Sequence, residues 1–509
     1  MNSAKKIMFN SVVLYIKIII SMLISLVSVP LILHALGEND YGVYNLVAGV
    51  ISMLAFLNSS MAVTTQRFLS VAIGEGNRDK LNCIYNVALV LHLIIGLFVV
   101  LLFEICFLFL FDGFLKIEPD RIVAAKIIYQ FIVVSTFFTI ISVPYGAVMN
   151  AKENMLAYSI IAIFEAILKL GLAFYLGYCS SDRLIIYGGG IATISIICMV
   201  LYRLYIRIKY KEFEVRFKRY FSGKTLQQML GFTGWNTLGA MAMIGRNQGM
   251  AVIFNLFCGT VANAAYGIAN QINGVLSYFS STFQKALNPQ LMQSEGMNER
   301  SRLIRISLIS SKYSVWVIAL FAVPLIMEMP YVLMLWLKDV PEYTLRISQL
   351  ILVLAIVYQF SVGLMSAIQA VGNIKNYCIA MSSLILLNLP ICYLMLKNGL
   401  PIHYCIIVFI VIEFVSLITR LFMAKKLVGI DTYLFVKRVV YPNVLCIVVG
   451  IFLAALFHYT MDESFLRLVL VCVAYFVGYV GMAWLVIFEY ELKYTVINAV
   501  GGFLKKVNH

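Results

Sequence analysis

Fourteen apolar stretches run along this chain with only short polar connections between them. They fall near residues 8–33, 43–61, 83–111, 124–149, 156–178, 185–206, 233–258, 262–286, 306–327, 345–370, 377–396, 402–423, 440–458 and 465–488. Each is close to the ~20 residues that a helix needs to cross ~30 Å of hydrocarbon. The runs do not alternate apolar with polar residues, so they predict spanning helices rather than the strands of a barrel. Only 12% of the residues are charged and 62% are hydrophobic. A soluble chain of this length carries about twice that charge. The expected fold class is an all-α integral membrane protein of about 14 transmembrane helices. The first run, Ile7 to Leu33, is too long for the apolar region of a cleavable signal peptide, and no A-x-A-like site follows it, so it is expected to remain as a span.

Lysine and arginine in the connections set the orientation. With the N-terminus inside, the inside segments hold 27 basic residues and the outside loops 7, with five more within spans. Both termini are therefore expected in the cytoplasm, and the net charge of +15 reflects topology rather than nucleic-acid binding. The basic stretch Arg203 to Lys224 is expected to lie along the anionic inner leaflet, with membrane lipids as its partners. No connection is long enough for a catalytic domain, and G-x-x-x-x-G-K-[ST] is absent, so neither enzyme chemistry nor a nucleotide is expected. The ten cysteines are scattered through apolar runs without a C-x-x-C and read as packing residues. His34, His92, His403, His458 and His509 lack metal-ligand spacing, so neither metal nor cofactor is expected.

The chain resembles itself. Tyr41 to Ser52 (YGVYNLVAGVIS) pairs with Tyr266 to Ser277 (YGIANQINGVLS), 225 residues on. Glu75 to Lys80 (EGNRDK) faces Glu295 to Arg300 (EGMNER) at an offset of 220. Ala151, Asn154 and Tyr158 match Ala370, Asn373 and Tyr377 at 219. Each match joins span n to span n+6, and an even shift keeps the orientation. The repeat is therefore parallel, with its pseudo-two-fold axis along the membrane normal. Two pseudo-symmetric six-helix lobes are expected over residues 1–210 and 211–425, followed by two more helices and a cytoplasmic tail over 426–509. Asn45 and Asn270, equivalent in the repeat, should face a partner helix or a wet cavity rather than lipid.

Further motifs are VPLILHALGENDYGVYNL (Val29 to Leu46), TQRFLSVAIGEGNRDKL (Thr65 to Leu81), GFTGWNTLGA (Gly231 to Ala240), NLFCGTVANAAYGIANQI (Asn255 to Ile272) and ALNPQLMQSEG (Ala286 to Gly296). Through them most of the chain resembles the multidrug/oligosaccharidyl-lipid/polysaccharide exporter superfamily. Within it the resemblance is to the bacterial polysaccharide transporter branch of O-antigen-type (Wzx-type) flippases. That resemblance implies two lobes around a central cavity that opens alternately inward and outward in the bacterial cytoplasmic (inner) membrane. The implied cargo is an undecaprenyl-diphosphate-linked glycan for O-antigen, lipopolysaccharide, capsule or exopolysaccharide synthesis. Other polysaccharide-assembly membrane proteins are implied partners. Drug exporters of the superfamily usually have twelve helices, so a count of fourteen favours the lipid-linked cargo.

Ionisable groups at membrane depth cost about 2.5–3.5 kcal/mol on insertion scales, which makes them the best site candidates. Lys17 lies about 14 Å into the first span, and Arg246 is central in the seventh. The repeat maps them to one helix face, so each lobe is expected to offer one cation to a substrate diphosphate. The alternative is that each pairs with a buried acid. Glu165 and Lys169 are an i,i+4 pair, read as a structural ion pair or a coupling-ion site. Glu413, central in the twelfth span without an obvious local partner, is a candidate for the coupling ion. Lys126 and Lys312 are expected to snorkel. A cation-coupled multidrug exporter would need an acidic cavity, and a polysaccharide polymerase or ligase would need a large outside loop. These remain the alternative readings.

Overall fold

A computed structural model describes residues 3–52, 55–111 and 117–488, which are almost wholly helical with no strand among them. The tail expected after the last helix lies outside the described residues. The helices are α1 (Ser3–Ser52), α2 (Ala55–Glu75), α3 (Arg78–Phe109), α4 (Ile122–Ala151), α5 (Met155–Tyr178), α6 (Arg183–Lys209) and a short α7 (Phe217–Tyr220). They continue with α8 (Gly223–Gly296), α9 (Arg300–Met327), α10 (Met329–Leu337), α11 (Thr344–Phe360), α12 (Val362–Val371), α13 (Lys375–Leu386) and α14 (Asn388–Lys397). The last are α15 (His403–Val428), α16 (Thr432–Phe435), α17 (Tyr441–Thr460) and α18 (Phe465–Val486).

Eleven of the described helices are long and apolar enough to cross a membrane, and α11 with α12, bent by 41°, makes a twelfth. Two of these helices hold more than one crossing. The 74 residues of α8 would extend about 110 Å if straight, over three times the hydrocarbon thickness. Its axis breaks at Gly259, whose φ of 73° and ψ of −168° are non-helical, and α1 breaks in the same way at Gly37 (φ 79°, ψ 166°). A side chain would be strained at that φ, so glycine is required at both turns. Divided at Gly259, α8 alone supplies two of the predicted crossings.

The breaks also carry the repeat into three dimensions. Gly37 and Gly259 are 222 residues apart, as are Gly76 (φ 69°) and Asn298 (φ 58°). Glu153 (φ 57°) and Gly372 (φ 92°) are 219 apart. Positive-φ residues thus recur at offsets within the 219 to 225 of the sequence repeat, and both copies turn at nearly corresponding points.

The chain divides into two compact units, residues 1–241 with 285–299, and residues 242–284 with 300–509. In the first unit α4 packs closely on α6, because the Gly188 to Gly190 run lets Ile128 and Phe131 lie against the α6 backbone. One core cluster there surrounds Phe103, Tyr129 and Tyr187, and another surrounds Tyr85, Met149 and Tyr202. The basic connection after α6 is pinned to α3. Asn82 and Asn86 accept the N–H groups of Glu214 and Arg216 (2.8 and 2.9 Å), and Asn86 Nδ2 donates to the Glu214 carbonyl (2.7 Å). Its backbone is therefore bound to protein, while Arg207, Lys209, Lys211, Arg216, Lys218 and Arg219 point outward.

In the second unit α17 and α18 pair closely, with Gly450 beneath the Tyr475 ring and Gly478 against Leu453. Polar bonds dock the pair on α9. Tyr475 and Tyr479 donate to the carbonyls of Ala319 and Trp316 (3.0 and 3.1 Å). Lys312 does not snorkel as expected. It is buried, and its Nζ donates to the Ile487 carbonyl (2.9 Å), satisfying the C-terminal end of α18. Glu328 is fully buried and bonds to Arg467 (3.0 and 3.1 Å) and to His458 Nδ1 (2.8 Å).

Candidate functional site

The charged groups in the first unit gather on α1, α5 and the second half of α8. Lys17 on α1 places its Nζ 5.0 Å from the centre of the Tyr158 ring on α5, within cation–π range. It interacts electrostatically with Glu165 and with Lys285. One helical turn along α5, Lys169 donates to Glu165 Oε1 at 2.6 Å, so the predicted i,i+4 pair is formed. Three lysines and one carboxylate thus share this region, leaving an excess of positive charge. Lys285 was not among the sequence candidates. The apolar run ends at residue 286, which suggested an interfacial position, but the helix continues for ten residues beyond it.

In the second unit Arg246 lies 5.1 Å over the Phe409 ring, and its Nε and an Nη donate to Asn247 Oδ1 (3.2 and 3.0 Å). It interacts electrostatically with the hydroxyls of Tyr266 and Tyr358. Neither Lys17, Lys285 nor Arg246 forms an ion pair with a carboxylate among the described residues. Each unit taken separately therefore carries such a cation.

Asn45 and Asn270 behave alike within their helices. Asn45 donates to the carbonyl of Tyr41 (2.9 Å), and Asn270 is hydrogen-bonded to the side chain of Tyr266, the repeat equivalent of Tyr41. Asn45 is also exposed on its helix, so its amide is only partly engaged.

Glu413 has a partner that the sequence reading missed. It is 5% exposed and forms an ion pair with Arg420, itself 2% exposed, seven residues along α15. Arg420 also donates to Ser361 Oγ (2.8 Å), the residue at the bend between α11 and α12. That bend is held from α9 as well. Ser311 Oγ accepts the Gly363 N–H (3.0 Å), Ser307 donates to the Gly363 carbonyl (2.8 Å), and a Cβ on Gly363 would lie 2.0 Å from the Ser307 carbonyl. Glu413 is therefore neutralised within a structural network that fixes a broken helix. Spacing i,i+7 keeps both groups on one face, but Arg420 falls in the last residues of the apolar run and was read with the basic connection that follows.

Glu104 in α3 accepts from Gln130 (3.2 Å), and Lys126, expected to snorkel, lies 5.8 Å over the Phe111 ring. At the opposite end of the first unit from the basic connections, Arg121 joins Asp40 and Asp182. Desolvation opposes its charge, but hydrogen bonds to the two carboxylates outweigh that and raise its pKa.

Comparison with known proteins places this architecture. The MatE family model matches residues 14–175. A crystal structure of MATE in the straight conformation superposes with a TM-score of 0.71 at 14% identity, covering 84% of this chain and 97% of that one. The fold is that of the MATE transporters. An outward-facing multidrug resistance MATE family transporter of the MOP superfamily gives 0.70 at 13% identity, over 84% of this chain and 96% of that one. A MOP superfamily transporter from Pyrococcus furiosus, described by a binding pocket of reverse polarity that suggests a different function, gives 0.71 at 13% identity with the same coverage. No protein with a curated description matches the sequence.

Proposed function

We propose that this chain is an alternating-access transporter of the MOP superfamily whose cargo bears a diphosphate, namely an undecaprenyl-diphosphate-linked oligosaccharide. It would carry the glycan from the inner to the outer leaflet of a bacterial cytoplasmic membrane, with both termini inside. The MATE fold supports transport. The observation that carries the choice of cargo is the set of unpaired cations, Lys17, Lys285 and Arg246, in helices long and apolar enough to span. An isolated charge at such depth persists where it has a counter-charge to meet, and a diphosphate supplies two. Lys17 and Lys285 would bind it from the first unit and Arg246 from the second, with Asn45 and Asn270 as polar groups for the sugars. Passing the hydroxyls through a polar path avoids their desolvation in hydrocarbon. Residues 1–210 and 211–425 would act as the two moving lobes.

The second reading is a cation-coupled multidrug exporter, and the MatE match together with the superposed MATE structures favours it. Against it, the acids it would use for a cationic drug are already paired, Glu165 with Lys169 and Glu413 with Arg420. The transporter from Pyrococcus furiosus is a precedent for a pocket of altered polarity on the same fold.

The test is deletion of the gene in its host, followed by extraction of lipid-linked intermediates. Accumulation of undecaprenyl-linked oligosaccharide on the cytoplasmic side, relieved by the wild-type gene, is expected. Unchanged intermediates with increased sensitivity to cationic drugs would put the exporter in its place.

A further inference from the structure

Two glycines that each lie two residues before a positive-φ turn, Gly74 before Gly76 and Gly296 before Asn298, meet one another's helices at the end of the first unit that carries the basic connections. A Cβ on Gly74 would lie 2.2 Å from the Gln293 carbonyl oxygen, and a Cβ on Gly296 would lie 2.1 Å from that of Val71. The offset of 222 converts Gly74 into Gly296 and Val71 into Gln293, so the two contacts are one contact seen from either side. The end of α2 and the end of α8, both long helices that follow a glycine break, thus cross backbone to backbone. Even one methyl group at either glycine would collide with main chain, which cannot rotate away.

A second set of contacts holds the same helix end. Gln290 Nε2 donates to Glu153 Oε2 (2.8 Å), and Gln293 Nε2 donates to the Ala151 carbonyl (2.7 Å) in the turn between α4 and α5. Lys6 lies 3.4 Å from the same carboxylate, and Asn10 Nδ2 donates to the Glu153 carbonyl (3.1 Å). Arg67 on α2 attracts Glu295 electrostatically. Glu153 is buried and sits at φ 57°, a conformation that its equivalent in the second copy fills with Gly372. A side chain there carries backbone strain that glycine would not. What the carboxylate gains in return is its hold on the end of α8.

We infer that the glycine crossing, together with the clasp of Glu153 on Gln290, is a latch that closes the basic end of the transport path. Gly74, Gly296 and Glu153 are positioning residues that set how often this end opens. The inference rests on the transport reading and not on any cargo.

The latch is tested by access to position 285, about 16 Å along α8 from the crossing. Full-length chain carrying K285C is placed in inside-out vesicles, where the basic loops face a sulfonated maleimide, and labelling at that position is followed by peptide mass spectrometry. E153G, which suits the backbone and so folds, is expected to speed labelling at least fivefold with an unfolding temperature unchanged or raised. G74A and G296A should speed it at least tenfold. A V71C/Q293C disulfide with both glycines intact should slow it below the wild-type rate. An unchanged rate in E153G, or in the disulfide-linked chain, overturns the latch. A wild-type chain that moves no lipid-linked glycan, while its K285C derivative shows these rates, would keep the latch and reject the cargo.

Discussion

In the first unit Lys17 and Lys285 form no ion pair with a carboxylate among the described residues, and Lys17 feels the charge of a Glu165–Lys169 pair whose side chains are 35% and 43% exposed. In the second unit Glu413 and Arg420 neutralise each other at 7% and 3% side-chain exposure and tie a bent helix to its neighbour. These two clusters use charge in opposite ways. Charge that is buried and paired fixes conformation. Charge that is unpaired and only partly covered is available to something that arrives. Position in a span is therefore not enough to mark a functional residue, and the partner decides.

This contrast can be broken most forcefully at the buried pair. Arg420→Ala should leave Glu413 uncompensated and destabilise the fold by about 3–5 kcal/mol. The double variant E413L/R420M should recover most of that, as measured by thermal unfolding in lipid nanodiscs. Arg467→Ala should behave in the same way, because Glu328 is fully buried against it. A loss in R420A that the double variant does not repair would show that the two charges do not act as a pair.

A smaller effect is expected where one charge meets a helix end. Lys312→Met removes the cation bonded to the Ile487 carbonyl and should cost about 1.5–3 kcal/mol, the range for hydrogen bonds to charged groups. Hydrogen exchange should locate the loosening at the end of α18. The smallest change belongs to the half-covered pair. Lys169→Met should alter stability by less than about 1 kcal/mol, as exposed ion pairs do. A loss as large as that of R420A would erase the distinction between the units.

Much of this fold was legible in the sequence, because spanning helices need long apolar runs and a parallel repeat leaves matched glycines and asparagines. The turns at Gly37 and Gly259 fall where the first and seventh runs end, and their required φ explains the glycines. The site was less legible for three physical reasons. Helices continue past the hydrocarbon, so Lys285 and Arg420, at the ends of their apolar runs, were counted with the basic connections although both lie well inside helices. A partner distant in sequence leaves no local spacing, which is why Lys312 was expected to snorkel instead of bonding to a carbonyl 175 residues away. The short α10 breaks the polar connection after α9, where Glu328 is held by α17 and α18 and nothing in the local composition signals it.

The most direct test of the account is a comparison of cargo in proteoliposomes. Flipping of a fluorescent undecaprenyl-diphosphate-linked oligosaccharide would be measured beside uptake of a cationic dye for the wild type, K17A, K285A and R246A. The account predicts that the wild type moves the lipid-linked glycan and not the dye. It further predicts that each alanine variant loses at least tenfold in glycan movement while its unfolding temperature is unchanged or higher, since no ion pair is broken. Transport of the dye by the wild type, with the alanine variants unaffected, would contradict it.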